Sequence, residues 1–384
     1  MRLTFSFWNG KQRWSVAALV TLIAAASALA DSADRSELSA LLSADSNAGF
    51  ALATEPRGFE FPLDHGPHPE FRNEWWYMTG NLDSADGRRF GFELTIFRFA
   101  LAPRLITLDS RWRTNQVYIA HFAVTDVRGK KFYVAERFSR GAVGLAGANT
   151  KPFRVWIDDW EIAATATNHV REHWQLKAND ENFALELALI AMKEPVLNGV
   201  DGLSQKSAEV GNASYYYSIT RWQTEGRLRL GDEAFVVSGL SWLDREWSSS
   251  ALAKDQEGWD WFALQLSDGS ELMFYNLRKT DGTQDVHSGG TWISADGNSR
   301  HLSHDDISVS VRERWTSPEG GTYPAAWNIR LPALGLALDV APVLDDQELF
   351  TTVRYWEGAV DVAGSRDGVE VNGRGYVELT GYAD

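Results

Sequence analysis

The 384-residue chain contains no cysteine. Disulfides, thiolate metal sites and a lipid-modified cysteine are therefore excluded, and a fold in an oxidising compartment rests on its core alone. Basic residues are in deficit, 37 Lys and Arg against 52 Asp and Glu, for a formal charge of −15. A surface of that sign speaks against nucleic acid or an anionic membrane as partner. Beyond one N-terminal stretch there is no long apolar run, and no long amphipathic helical period emerges. Rossmann and α/β-hydrolase folds need helices between parallel strands, so both are disfavoured. G-x-S-x-G, G-x-G-x-x-G, the Walker loop and H-E-x-x-H are also absent, and no cofactor or metal is expected.

The N-terminal exception reads as a leader. Arg2, Lys11 and Arg13 precede the uncharged stretch Ser15 to Ala30, which ends Ala28-Leu29-Ala30. That stretch is shorter than the roughly 20 residues of a bilayer span. The expectation is a signal peptide over 1–30, a tether over 31–55, and a periplasmic or secreted protein with no integral membrane segment after cleavage. The remaining length favours two domains. They are expected at 56–210 and 211–384, because Gly199, Gly202 and Gly211 accompany polar residues between Pro195 and Tyr215.

What the chain does have is aromatic side chains: 17 Trp, 19 Phe and 11 Tyr. Large rings dominate burial in any core, yet so many tryptophans also suit the walls of an apolar chamber. The local signal is almost wholly β. Glu74 to Leu82, the turn Asp83 to Gly87 and Phe90 to Arg98 predict a hairpin, and Trp259 to Leu266, Ser267 to Ser270 and Glu271 to Arg278 predict a second of similar layout. Short strands are expected throughout, for example over 116–126, 183–191, 234–240, 336–340 and 353–362. The predicted class is all-β, two lipocalin-like antiparallel β-barrel domains.

Period-2 alternation then sorts the candidate residues. In Trp242-Leu243-Asp244-Arg245-Glu246-Trp247, Trp242, Asp244 and Glu246 share one strand face and Leu243, Arg245 and Trp247 the other. The two carboxylates then lie roughly 6–7 Å apart. If that face lines a chamber, burial and mutual repulsion raise one of them into the range of a general acid. If it lies at a rim, they pair with Arg245, Arg221 or Arg278 and contribute little. Glu74 and Trp76 share a face and could line a cavity, or Glu74 could pair with Arg72 or Arg98. Trp261 is a candidate wall residue. Tyr275 and Arg278 are candidate polar groups beside it, and His121, in an apolar strand, is either structural or a cavity donor. His65 with His68 and His301 with His304 have metal-like spacing but no third nitrogen, and are expected as exposed loop residues.

The segments Phe61-Pro62-x-Asp64-His65-Gly66-x-His68, Asn73-Glu74-Trp75-Trp76-Tyr77-x-Thr79-Gly80-x-Leu82, Gly239-x-x-Trp242-Leu243-Asp244-Arg245-Glu246-Trp247 and Gly258-Trp259-Asp260-Trp261-Phe262 resemble the AttH-like, carotenoid 1,2-hydratase-related (hydroxyneurosporene synthase) lipocalin-like family. The resemblance runs from about residue 55 to the C-terminus and implies paired lipocalin-like domains. It also implies, for the hydratase branch, addition of water to an isoprenoid alkene without a redox cofactor, with acid and aromatic groups broadly at Trp242, Asp244 and Tyr275. The hydratase histidine has no match in Asp244-Arg245-Glu246-Trp247. The sequence accordingly ranks a periplasmic binding or carrier protein for an apolar, lipid-like or isoprenoid-like molecule first, with envelope transport components as possible partners. A cofactor-independent hydratase, hydro-lyase or isomerase using Asp244, Glu246 and Tyr275 ranks second. A structural or adhesion role with filled cores is third.

Overall fold

The computed structural model describes residues 47–104, 110–165, 171–250 and 252–383. The expected leader, and the expected tether as far as residue 46, lie outside them. The chain forms β1 (Asn73–Ser84), β2 (Arg89–Ala100), β3 (Gln116–Asp126), β4 (Lys131–Arg140), β5 (Ala146–Thr150), β6 (Phe153–Ile157), β7 (Trp160–Ala164), β8 (His173–Asn179), β9 (Phe183–Ala191), β10 (Val196–Leu197), β11 (Leu203–Gln205), β12 (Ala213–Leu230) and β13 (Glu233–Ser248). These strands make one sheet, in the order β4-β3-β2-β1-β13-β12-β9-β8-β7-β6-β5, with β10 and β11 also paired to β12. A second sheet holds β14 (Gln256–Leu266), β15 (Glu271–Lys279), β16 (Gly289–Ile293), β17 (Ser299–Ser303), β18 (Ser308–Thr316), β19 (Thr322–Leu331), β20 (Leu336–Pro342), β21 (Glu348–Phe350), β22 (Arg354–Arg366) and β23 (Val369–Leu379). Its order is β17-β16-β15-β14-β23-β22-β20-β19-β18, with β21 on β22. The fold is all-β: the first sheet curls into a near-barrel and the second into a half-barrel.

Alternation explains the layers. Along β9, Phe183, Leu185, Leu187 and Leu189 face inward while Glu186 and Ala188 are exposed, so one face is core and the other solvent. The near-barrel is filled by Trp76, Phe92, Phe122, Trp160, Trp174, Trp222 and Trp247, and the half-barrel by Phe262, Phe274, Trp327 and Trp356. Both predicted hairpins form, β1 with β2 and β14 with β15. Each turns through a glycine at positive φ, Gly87 at 77° and Gly269 at 83°, where a side chain would be strained.

Strand pairing moves two of the expected boundaries. Ala213–Ser248, assigned from sequence to the second half, hydrogen-bonds into the first sheet, β13 against β1 over twelve residue pairs from Asn73↔Ser248 to Ser84↔Val237. The glycines near 199–211 mark a crossing within that sheet. The described end of the expected tether is also part of the fold: Ala53 is buried in the near-barrel core, and the Ala51 N–H donates to the Glu70 carbonyl at 2.9 Å.

Candidate functional site

The faces of the two sheets that turn away from their own cores pack against each other. One ladder row on each side supplies most of the polar groups between them. On the first sheet, register places Ser218, Asp244 and Tyr77 in line, continuing through Thr95 to His121. On the second, Tyr275, Trp261, Glu378 and Glu357 are in line. Between these rows opens a partly enclosed cavity of about 80 Å³. Its walls include Trp75, Tyr77, Tyr216, Trp259, Trp261 and Tyr275, and its polar groups are Lys206, Asp244, Glu246 and Glu378. Mostly aromatic walls with a few convergent polar groups are the usual make-up of a small-molecule site.

Asp244 is held on three sides by neutral donors. The Trp242 Nε1–H donates to Oδ1 at 2.7 Å, the Ser218 hydroxyl to Oδ1 at 2.5 Å, and the Tyr216 hydroxyl to Oδ2. Trp261 Nε1–H in turn donates to the Tyr216 oxygen at 3.1 Å, linking the two sheets. Burial pushes the carboxyl up to about 7, against the pull of its hydrogen bonds and with help from the nearby Glu246 charge. Glu246 is different: it accepts from Ser214 and pairs with Lys206 Nζ at 3.1 Å. Burial opposes the Lys206 charge, but Glu246, Tyr275 and Asp244 together outweigh it and hold the ammonium above its ordinary value. Lys206 Nζ also lies 4.6 Å from the centre of the Tyr275 ring, and the Tyr275 hydroxyl meets Ser204 Oγ at 3.0 Å.

On the opposite wall, burial pushes Glu378 up to about 8. Behind it, Glu357 accepts from the Tyr77 hydroxyl and leaves Oε2 without a partner, at 0 % exposure. Glu93, also at 0 %, makes no well-formed hydrogen bond through either carboxyl oxygen among the described residues. Burial and mutual repulsion hold both carboxyls far above the usual range.

The sequence-derived candidates divide accordingly. Asp244, Glu246, Tyr275 and Trp261 line the cavity, and Trp242 buttresses it through Asp244. His121 stands one layer back, with Nδ1 2.6 Å from the hydroxyl of the cavity residue Tyr355 and Nε2 3.1 Å from Glu136. Glu74 and Trp76 face the near-barrel interior instead, because the strand face toward the cavity is that of Trp75 and Tyr77. Arg278 is also outside it, paired to Asp260 and stacked 3.7 Å over Tyr382. His301 is exposed as expected, but His65 and His68 are buried. Lys206, Tyr216 and Glu378 were not singled out from sequence. Glu378 did carry a local signal, a lone acid in the alternating Tyr376-Val377-Glu378-Leu379.

With this geometry in view, a family model described as AttH-like matches residues 52–382. The chain belongs to the AttH-like family. A crystal structure of a candidate AttH from Nitrosomonas europaea is 33 % identical, covers 87 % of this chain and 100 % of its own, and superposes with a TM-score of 0.78. Kievitone hydratase from Nectria haematococca, at 16 % identity, 87 % and 98 % coverage and a TM-score of 0.64, shares the fold. No curated protein matches.

The motifs carrying the AttH-like resemblance supply cavity residues on one strand face, and on the other they converge in a second cluster. Glu74 is buried between the guanidinium groups of Arg98 and Arg245, and its two oxygens accept from the His68 N–H at 3.2 and 3.1 Å. His68 stacks on Trp247 at 3.8 Å and its Nε2–H donates to the Asp64 carboxylate, 3.0 Å away. Arg245 also reaches the Gly66 and Glu246 carbonyls at 2.7 and 3.0 Å. This network pins the segment 57–71 across one end of the near-barrel. It fixes the backbone of Glu246 from behind while the side chains of Asp244 and Glu246 face the cavity.

Proposed function

We propose that this AttH-like protein is a cofactor-independent hydratase, hydro-lyase or isomerase acting on an apolar, isoprenoid-like substrate between the two sheets. The observation that carries this reading is Asp244: a buried carboxyl in an aromatic cavity, hydrogen-bonded by neutral donors and by no cation. Such a group changes protonation near neutral pH, which is what proton transfer to or from an alkene requires. The surrounding rings offset positive charge developing on carbon. The name of the kievitone hydratase of like fold is in keeping with water addition. The test is conversion of an apolar extract of the native envelope in H₂¹⁸O, read by mass spectrometry. A labelled product formed by the wild type and lost in Asp244→Asn supports the reading; ligand returned unlabelled and unchanged overturns it.

Binding and carriage is the second reading, favoured by the largely apolar cavity wall. It predicts a lipid-like molecule co-purifying equally with wild type and Asp244→Asn. An exported setting is proposed from the leader pattern alone, and a mature N-terminus near Asp31 checks it.

A further inference from the structure

The cavity holds two carboxyls on opposite walls that have no cation partner among the described residues, and their surroundings differ. Asp244, on β13, receives three hydrogen bonds, an arrangement that favours the ionised form. Glu378, on β23, has the Trp259 side chain as its hydrogen-bond partner and Glu357 as its cross-strand neighbour. The groups facing Glu378 are Asp244 and Glu246 from β13, the tyrosines Tyr77 from β1 and Tyr355 from β22, and Glu357 and Glu93 from the intersheet layer behind. The cation Lys206 is engaged with Glu246. Glu357 and Glu93 are fully buried without a counter-ion, and carboxyls so placed are neutral acids. Glu378 therefore sits between anions in front and neutral acids behind, with the neutral Trp259 side chain, and no cation among the described residues, to offset its negative charge.

We infer that Glu378 is the proton donor of the site and Asp244 its partner base, a division of labour that rests on the acid–base reading above. In the hydration direction the Glu378 O–H bond breaks and its proton forms a C–H bond with the π electrons of the alkene. Water attacks the cationic carbon, and the proton it releases passes to the Asp244 carboxylate. The substrate gains one water, and the enzyme is reset when a proton moves from Asp244 back to Glu378 through water in the cavity. Two titratable groups in contrasting environments are how acid and base are told apart in one site.

Infrared spectroscopy reads this without a substrate. At neutral pH, Glu378→Gln removes more intensity from the protonated-carboxyl C=O region than Asp244→Asn does, with near-ultraviolet circular dichroism showing the intersheet tryptophans still packed. Equal losses, or the larger loss in Asp244→Asn, overturn the assignment. In the unmutated protein, selective ¹³C labelling separates the two residue types, and the aspartate signal is to fade at lower pH than the glutamate signal; the reverse order also overturns it. Because no turnover is needed, an unlabelled result in the H₂¹⁸O experiment sinks the hydratase reading and leaves the infrared result standing.

Discussion

Two acidic clusters lie on opposite faces of the first sheet and have opposite electrostatics. On the near-barrel side, Glu74 meets two guanidinium groups, whose charges hold its carboxyl far below the usual range despite complete burial. On the intersheet side, Asp244, Glu378, Glu357 and Glu93 meet hydroxyls, two indoles and one another, and all are raised. Residues 244 and 245 belong to different clusters although adjacent in sequence, because strand side chains alternate. The contrast teaches that burial alone does not mark a reactive carboxyl. A compensated buried charge locks structure, whereas an uncompensated one retains a labile proton near neutral pH.

The comparison can be broken most severely at Arg245. Arg245→Met leaves Glu74 buried with one partner fewer, and a loss of about 3–5 kcal/mol is expected in urea denaturation. Asp244→Asn is the opposite case: turnover falls by roughly 10²–10⁴-fold, as for loss of a general acid or base, while the urea midpoint at pH 7 changes little. The two clusters also respond to pH with opposite sign. Glu378 has its folded value raised to about 8 from 4.5. Its contribution to stability is complete below about 4.5 and is lost as pH rises through about 8. Glu74, lowered in the fold, contributes above about 4.5 and loses that contribution as pH falls. Glu378→Gln should therefore flatten the alkaline limb of a stability–pH curve and leave the acid limb unchanged; flattening of the acid limb instead would contradict the assignment. The smallest effect is expected for Tyr77→Phe, which removes one hydrogen bond to Glu357, about 1–2 kcal/mol by thermal denaturation.

Much of the fold was legible because β periodicity is local. Strands predicted over 116–126 and 183–191 coincide with β3 and β9, and both hairpins were read from Asp/Gly turns. The separation of Asp244 and Glu246 from Arg245 and Trp247 followed from the same period. Alternation does not, however, say which of two faces meets the second sheet. For that reason Glu74 and Trp76 were placed toward a cavity that belongs to Trp75 and Tyr77. The pairing of β13 with β1 was equally invisible, since more than 150 residues separate Trp75 from Glu246 in the chain.

The sequence by itself determined the β architecture, the aromatic character and the family, because each is written in composition, short-range pattern or motif. Tertiary structure alone decided that the cavity lies between the sheets and that Glu378 faces Asp244 across it. It also decided which carboxyls found a cation. The physical reason is that an ionisable group's behaviour depends on its neighbours within a few ångströms, and in a sheet those neighbours come from strands far away along the chain.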